Sequence, residues 1–364
     1  MKITIFGLTL SSSWGNGHAT PYRAILRALH RRGARIVFYE KDVPYYARHR
    51  DCPAPSYCNL RLYSAWDNVR IEALREAADS DIVIHASYCP EGARICDEVL
   101  DLGAPLHVFY DLDTPITLNA LDGDGAEYLR REQIGRFDLY LSFTGGAVLR
   151  KLEREYGARL ARPLYGCVDP DAYQRVGTNG DFCSSLSYLG TYAPDRQTKL
   201  DELFLEPARR RPDQQFVLAG SMYPWEWSWP PNVKRFEHVA PAEHAALYSS
   251  SRATLNITRQ VMADSGFCPS GRFFEAAACS TPILTDWWEG LDSFFDPREE
   301  LCVVRTAADV IACLDADDTE FRSKAERARI RTLAEHTGER RAEQLLTHCD
   351  EAYRKPRSAS EVMA

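Results

Sequence analysis

The residues best suited to chemistry stand in Pro269-Ser270-Gly271-Arg272-Phe273-Phe274-Glu275-Ala276-Ala277-Ala278-Cys279, which leads into Ser280-Thr281-Pro282 and Ile283-Leu284-Thr285-Asp286. Ser270 or Gly271 is a natural start for this Ala-rich helix, where free amides and the helix dipole favour a phosphate. Arg272 and Glu275 are three residues apart and share one helix face. A guanidinium there can neutralise diphosphate oxygens, and a carboxylate can accept hydrogen bonds from a ribose diol. The plain alternative is a buried helix with an internal Arg–Glu pair. The turn and strand that follow at once favour a ligand-facing edge.

A second candidate is Gly15-Asn16-Gly17-His18-Ala19-Thr20. It narrowly misses the dinucleotide fingerprint GxGxxG, with Glu40 about where a ribose-binding acid would follow. Ser11–Trp14 separate these glycines from the preceding strand, whereas the fingerprint needs its turn directly after one. Two glycines and a histidine at a helix start suit a different task, with His18 placed to take a proton from an acceptor hydroxyl. The alternative is a glycine-rich loop with an incidental histidine. A third candidate, Tyr110-Asp111-Leu112-Asp113-Thr114-Pro115, follows a strand, where carboxylates point toward bound ligands. Asp111 or Asp113 could orient His18, contact the acceptor or serve as the base; an Asx-type turn before Pro115 is the competing explanation. His85, inside an apolar strand, reads as a core histidine. The run Tyr223-Pro224-Trp225-Glu226-Trp227-Ser228-Trp229 could stack on a base or sugar, or simply cover a loop. Arg209-Arg210-Arg211 reads as a solvated helix end.

The elements that must position these residues alternate along the chain. Ile3–Leu10 reads as a buried parallel strand. Thr20 is placed to cap a helix with Pro21 at its first position, Gly33 ends that helix, and Arg35–Tyr39 is the next strand. Strands at Asp81–Ser87, Leu106–Tyr110 and Asp138–Phe143 alternate with helices at Gly92–Leu100 and Val148–Tyr156. After a turn-rich segment, Leu164–Tyr173, and a linker candidate, Gly177–Asp181, a second set begins. Its strands are Leu186–Leu189, Gln215–Ala219, Ala253–Ile257 and Pro282–Thr285; its helices are Ala242–Ser249, Gly271–Cys279 and Ala307–Leu314. From about Glu320 the chain reads as charged helix, with a loose tail at Ser358–Ala364. Strands alternating with helices imply parallel sheets covered on both faces. The expected fold class is α/β with two Rossmann-like domains facing a cleft.

At 364 residues, two domains are the natural prior. A content of 45% hydrophobic and 26% charged residues supplies two cores. The net charge of −8 argues against a broad nucleic-acid or anionic-membrane surface, though not against a local basic pocket. The 11 cysteines have no zinc-site spacing, and their odd total argues against a complete disulfide framework. With no apolar run long enough to span a membrane, a cytoplasmic protein is the simplest expectation.

Here the sequence resembles a known family. RFFEAAACSTPILTD is similar to the signature of the spore-maturation CgeB-like glycosyltransferases, within the GT-B superfamily. SSSWGNGHAT, FYDLDTPITL (109–118), YLGTYAPDRQ (188–197), FVLAGSMYP (216–224), HVAPAEHAALYSSSRATLNITR (238–259) and EGLDSFF (289–295) point the same way, over roughly residues 1–340. The resemblance implies an N-terminal acceptor-side domain over 1–175 and a donor-binding domain over 182–337. It also implies that a C-terminal helix near 338–355 packs back on the first. Glu275 would hold the ribose hydroxyls, and Gly271 and Arg272 would lie by the diphosphate. Asn256, Thr258, Arg259, Gly220 and Ser221 would line the nucleotide pocket, with Gly17 and His18 across the cleft. Phe267 stands where many retaining GT-B enzymes carry a second acid.

The expected activity is metal-independent hexosyl transfer from a UDP- or dTDP-sugar to an unidentified small molecule, glycan or protein. No cofactor and no nucleic-acid partner are expected. Ser270, Gly271, Arg272 and Arg259 would stabilise the departing diphosphate, and His18 would act as base with inversion. The rivals are a nucleotide-sugar epimerase of the same fold, a nicotinamide-dependent dehydrogenase, and a non-catalytic spore-coat or scaffold protein.

Overall fold

The computed structural model describes residues 1–355 except 104 and 225; the tail read at Ser358–Ala364 and the aromatic Trp225 therefore lie outside the described residues. Contacts divide the chain into two compact units. The first comprises Met1–Ser12, Ile25–Tyr165 and the described residues from Glu339 to Lys355; the second comprises Ser13–Ala24 and Gly166–Gly338.

The first unit is built on β1 (Lys2–Gly7), β2 (Arg35–Lys41), β3 (Asn59–Tyr63), β4 (Ile82–Ala86), β5 (Leu106–Asp111), β6 (Leu139–Ser142) and β7 (Ala161–Pro163). All pair in parallel, in the order β3-β2-β1-β4-β5-β6-β7. Central strands are buried along nearly their whole length, Thr4, His85 and His107 included, because helices cover both faces, which is the parallel-sheet pattern. Phe6, Tyr39, Trp66 and Ile95 join one core cluster, and Phe109, Phe137, Tyr140 and Leu152 another. The helix Gly338–Arg354 belongs here from Glu339 on, with Arg162 bonded to Glu351 and Arg32 to Glu339 and Glu343.

The second unit carries β8 (Leu186–Leu189), β9 (Phe216–Ala219), β10 (Val233–Phe236), β11 (Thr254–Asn256), β12 (Ile283–Thr285) and β13 (Cys302–Val303). Its parallel order is β10-β9-β8-β11-β12-β13. Successive strands run outward from β8 on one side and from β11 on the other, so the order reverses between them. The first sheet has the same reversal between β1 and β4. Ligands in open parallel sheets bind beyond the C-terminal ends of the strands at such a switch.

Two local expectations are corrected. The first strand stops at Gly7, short of Leu10: a Cβ at Gly7 would lie 2.5 Å from the Phe38 ring, and the chain beyond it turns to surround Glu40. The next helix begins at Ala19, so Thr20 lies within its first turn and does not precede it. Gly33 ends that region with φ +85, as a left-handed stop requires. All 11 cysteines are free thiols.

Candidate active site

Four chain segments leave the strand ends beside the β8/β11 switch. After β8 come Gly190 and Thr191, then a helix opening at Pro194. Gly220 and Ser221 follow β9, Ile257 to Arg259 follow β11, and Asp286 follows β12. Gly190 and Gly220 are required by packing: a Cβ on Gly220 would lie 2.0 Å from the Gly190 carbonyl oxygen. One on Gly190 would lie 2.6 Å from Arg272 Nη1. The backbones are thus drawn close enough for a guanidinium to cross the end of the sheet.

That guanidinium is fixed from two sides. The helix Gly271–Ala278 starts after Ser270 in extended conformation, and Arg272 Nε donates to Ser270 Oγ at 3.1 Å. Arg272 Nη1 donates to the Leu189 carbonyl, and the group lies 5.7 Å over the Tyr188 ring. Arg196 donates to the Thr191 carbonyl, while its Nε is buried with no hydrogen-bond partner. Burial lowers the Arg196 pKa, and the positive charges of Arg272 and Arg259 act in the same direction. Arg259 Nε reaches Asp195 at 3.2 Å. Lys199 Nζ donates to Asp286 Oδ2 at 2.7 Å, and Asp286 Oδ1 accepts from the Thr258 amide at 3.0 Å. Neither Arg196 nor Arg272 has an ion-pair partner among the described residues. The electrostatics therefore leave room for an anion.

Beside the cations are uncharged groups that also lack partners. Asn256 is 3% exposed, and both its amide nitrogen and its amide oxygen are without a hydrogen bond. Thr258 Oγ1 is buried and unpartnered as well. Buried polar groups in native proteins are nearly always satisfied, so a cluster of exceptions points to a missing ligand or water.

Glu275 sits one turn into the same helix, buried. Tyr248 Oη donates to its Oε2 at 3.4 Å, and His244 Nδ1 is 3.6 Å from the same oxygen. The Tyr173 hydroxyl lies 3.2 Å from His244 Nδ1. Burial first, and the charge of Glu275 second, hold both phenols well above the ordinary tyrosine pKa, so they remain donors. The Gly-Asn-Gly-His loop belongs to the same unit as Glu275. The loop itself is shaped locally. Asn16 Oδ1 accepts from the His18 amide at 2.9 Å, Trp14 packs on the His238 ring at 4.3 Å, and nothing lies within 4 Å of a Cβ placed on Gly17.

The sequence-derived residues Gly220, Ser221, Asn256, Thr258, Arg259, Ser270, Gly271, Arg272 and Glu275 all stand at these strand ends or on the Gly271 helix. Gly17 and His18 share their unit, while Asp111 and Asp113 belong to the other. Asp111 is fully buried, accepting from Tyr140 Oη at 2.6 Å, Thr117 Oγ1 at 2.8 Å and the Asp113 amide at 3.1 Å. Burial raises its pKa to about 6, against those hydrogen bonds. Asp113 is half-buried at the start of helix Thr114–Asp122. Glu40 accepts from Thr9 Oγ1, the Leu10 amide and both donors of Ser11, which leaves no free oxygen for a ribose. His85 is a core residue stacked on Phe6 at 5.1 Å, and burial lowers its pKa to about 3. Tyr223, Trp227 and Trp229 pack with Tyr192 against the core of the second unit. Arg209 and Arg210 pair with Glu206, and Arg211 with Asp315. Arg196, Tyr173 and His244 were not singled out from the sequence. The signal for Arg196 was its place just after a strand-end glycine and Pro194.

Residues 196–347 match a family model described as glycosyl transferase-like. A comparison with curated proteins found no match. Among solved structures, sucrose-phosphate synthase from Thermosynechococcus elongatus superposes with TM-score 0.67 at 13% identity, covering 97% of this chain and 99% of that one. An alpha-glucosyltransferase in complex with UDP-glucose and DNA containing an abasic site gives TM-score 0.71 at 12% identity, covering 96% and 99%. Anabaena HepE in complex with UDP and glucose gives 0.64 at 12% identity, covering 96% and 100%. The fold is therefore GT-B, an α/β architecture of two Rossmann-like parallel sheets.

Proposed function

We propose that this chain is a glycosyltransferase of the CgeB-like kind that takes its sugar from a nucleotide diphosphate donor, bound at the β8/β11 switch. The observation that carries this reading is the cluster of Arg196, Arg259 and Arg272, two of them without an ion-pair partner, beside an unpartnered Asn256 and Thr258. A pyrophosphate supplies the oxygens these groups lack, and the amides at the start of the Gly271 helix add to its binding. Glu275 then accepts from the ribose diol. The UDP in the complexes of similar fold supports uridine as the base. The same cations stabilise the charge that grows on the departing diphosphate, which is the main electrostatic demand of sugar transfer. His18 takes the proton of the acceptor hydroxyl. The donor domain is residues 182–337.

A thermal-shift panel of UDP-, dTDP- and GDP-sugars tests the reading, run on the wild type and Glu275→Ala. One nucleotide series raises the wild-type melting temperature, and the variant loses that rise. No rise with any nucleotide sugar refutes the proposal.

A further inference from the structure

The open atoms at the β8/β11 switch are not all of one kind. Arg196 Nε, Asn256 Nδ2 and Thr258 Oγ1 can donate, and a diphosphate, whose ionised oxygens only accept, answers all three. Asn256 Oδ1 and Asp195 Oδ1 are buried and open as well, and they can only accept. No diphosphate oxygen satisfies them. Nor do the neighbouring cations: Arg259 Nε lies on the other Asp195 oxygen at 3.2 Å, Lys199 on Asp286, and Arg272 on Ser270 and the Leu189 carbonyl. Asn256 makes the clearer demand. It is 3% exposed and both ends of its amide are open, so exchanging oxygen and nitrogen leaves the same requirement. A buried carboxamide without either partner calls for a group that donates and accepts at one place. A hydroxyl does both.

Asn256 closes β11 in register with Thr285 on β12, just before Thr258 and Arg259. We propose that Asn256 reads a hydroxyl of the transferred sugar, accepting through Oδ1 while Nδ2 donates to an oxygen of the donor. The donor sugar is then one that keeps its hydroxyl at the carbon facing β11, and a sugar deoxygenated there is rejected. This rests on the reading of the switch as the diphosphate site and of Glu275 as the ribose acceptor, which leaves the sugar as the remaining polyol of the donor.

The test measures, by calorimetry on the full chain, the affinities of UDP, UDP-glucose, UDP-galactose and UDP-N-acetylglucosamine, and takes the tightest UDP-sugar as a ratio to UDP. Asn256→Leu and Asn256→Val each lower that ratio about three- to tenfold, the size of one net hydrogen bond. Both retain pyrophosphate binding, which shows that they are folded. Asn256→Asp, which keeps an accepting oxygen, weakens both ligands through its charge and holds the ratio. One monodeoxy analogue of the chosen UDP-sugar binds the wild type about three- to tenfold more weakly than its parent, whereas Asn256→Leu binds the two alike. An unchanged ratio in the apolar variants overturns the proposal and leaves water as the partner of Asn256. A loss that UDP shares in full, and that is absent with 2′,3′-dideoxy-UDP, moves the hydroxyl to the ribose and overturns it too. If UDP itself does not bind the wild type, the diphosphate reading falls and this proposal with it.

Discussion

The strand ends of the two sheets carry similar polar residues and use them in opposite ways. In the first sheet, Glu40 and Asp111 are fully buried, and each is surrounded by donors from its own unit: four contacts to Glu40 and three to Asp111. In the second, Asn256 and Thr258 are as deeply buried and have none for their side chains, and Arg196 lacks a partner at Nε. A satisfied buried carboxylate fixes a loop; an unsatisfied amide beside unpaired guanidinium groups costs stability unless a ligand completes it. The comparison separates residues whose hydrogen bonds are completed within the fold from residues whose polar atoms are left open, although both kinds sit where ligands of parallel sheets bind.

The largest effect expected is on the cations. Arg196→Ala or Arg272→Ala weakens UDP binding by about 100-fold, since losing one partner of a desolvated charge pair costs about 2–5 kcal/mol. Arg211→Ala, at an ion pair on a helix end, leaves binding unchanged. Calorimetric titration with UDP decides this. Wild-type affinity in Arg196→Ala would break the contrast between the two sheets.

The saturated carboxylate makes a prediction of comparable size in stability. Asp111 has its pKa raised to about 6 in the folded chain, against 3.8 ordinarily. Between these values the folded chain holds a proton that the unfolded chain has released. Its contribution therefore falls as pH rises from about 4 to about 6, by up to about 3 kcal/mol. Urea midpoints at pH 4 and pH 6.5 measure the slope, and Asp111→Asn removes this component of it. UDP affinity at pH 7 is the same in the variant and the wild type.

Next comes Gly190→Ala. Its methyl group would meet Arg272 Nη1 at 2.6 Å and Tyr188 Oη at 2.8 Å, so the guanidinium is displaced from the Leu189 carbonyl. UDP affinity falls about tenfold, a smaller loss than removing the arginine because the charge stays nearby. An equal substitution at Gly17, where nothing lies within 4 Å, does not change donor binding.

How much of this was legible in the sequence follows from the same physics. The Gly271 helix, its flanking strand and the buried strands at 186–189 and 106–110 showed themselves through apolar runs, cap residues and strand-end glycines. The edge strands Asn59–Tyr63, Val233–Phe236 and Cys302–Val303 did not, because they are short and partly polar at the rims of their sheets. Glu40 illustrates a different limit. Its type and position fit a ribose ligand, and only the coordinates reveal that Thr9, Leu10 and Ser11 already occupy it. Arg196 and His244 stood in quoted runs, but their convergence on Arg272 and Glu275 depends on strand order, which no local spacing encodes.

The smallest effect separates the two regions most sharply, because one substitution made in both has opposite signs. Thr117 Oγ1 donates to Asp111 at 2.8 Å and also meets Tyr128 Oη at 2.8 Å, whereas Thr258 Oγ1 is buried with no partner. Valine keeps the shape and removes the hydroxyl. At Thr117 it leaves a buried carboxylate short of a donor and destabilises the fold by about 1–3 kcal/mol. At Thr258 it removes an unsatisfied group and stabilises the ligand-free chain by about 1 kcal/mol, a rise in melting temperature of about 2 °C. That gain comes with a loss of about threefold in UDP-sugar affinity, because the hydroxyl is then missing from the bound state. A lower melting temperature for Thr258→Val would mean that the hydroxyl is satisfied in the ligand-free protein, and that its lack of a protein partner is no mark of a binding site.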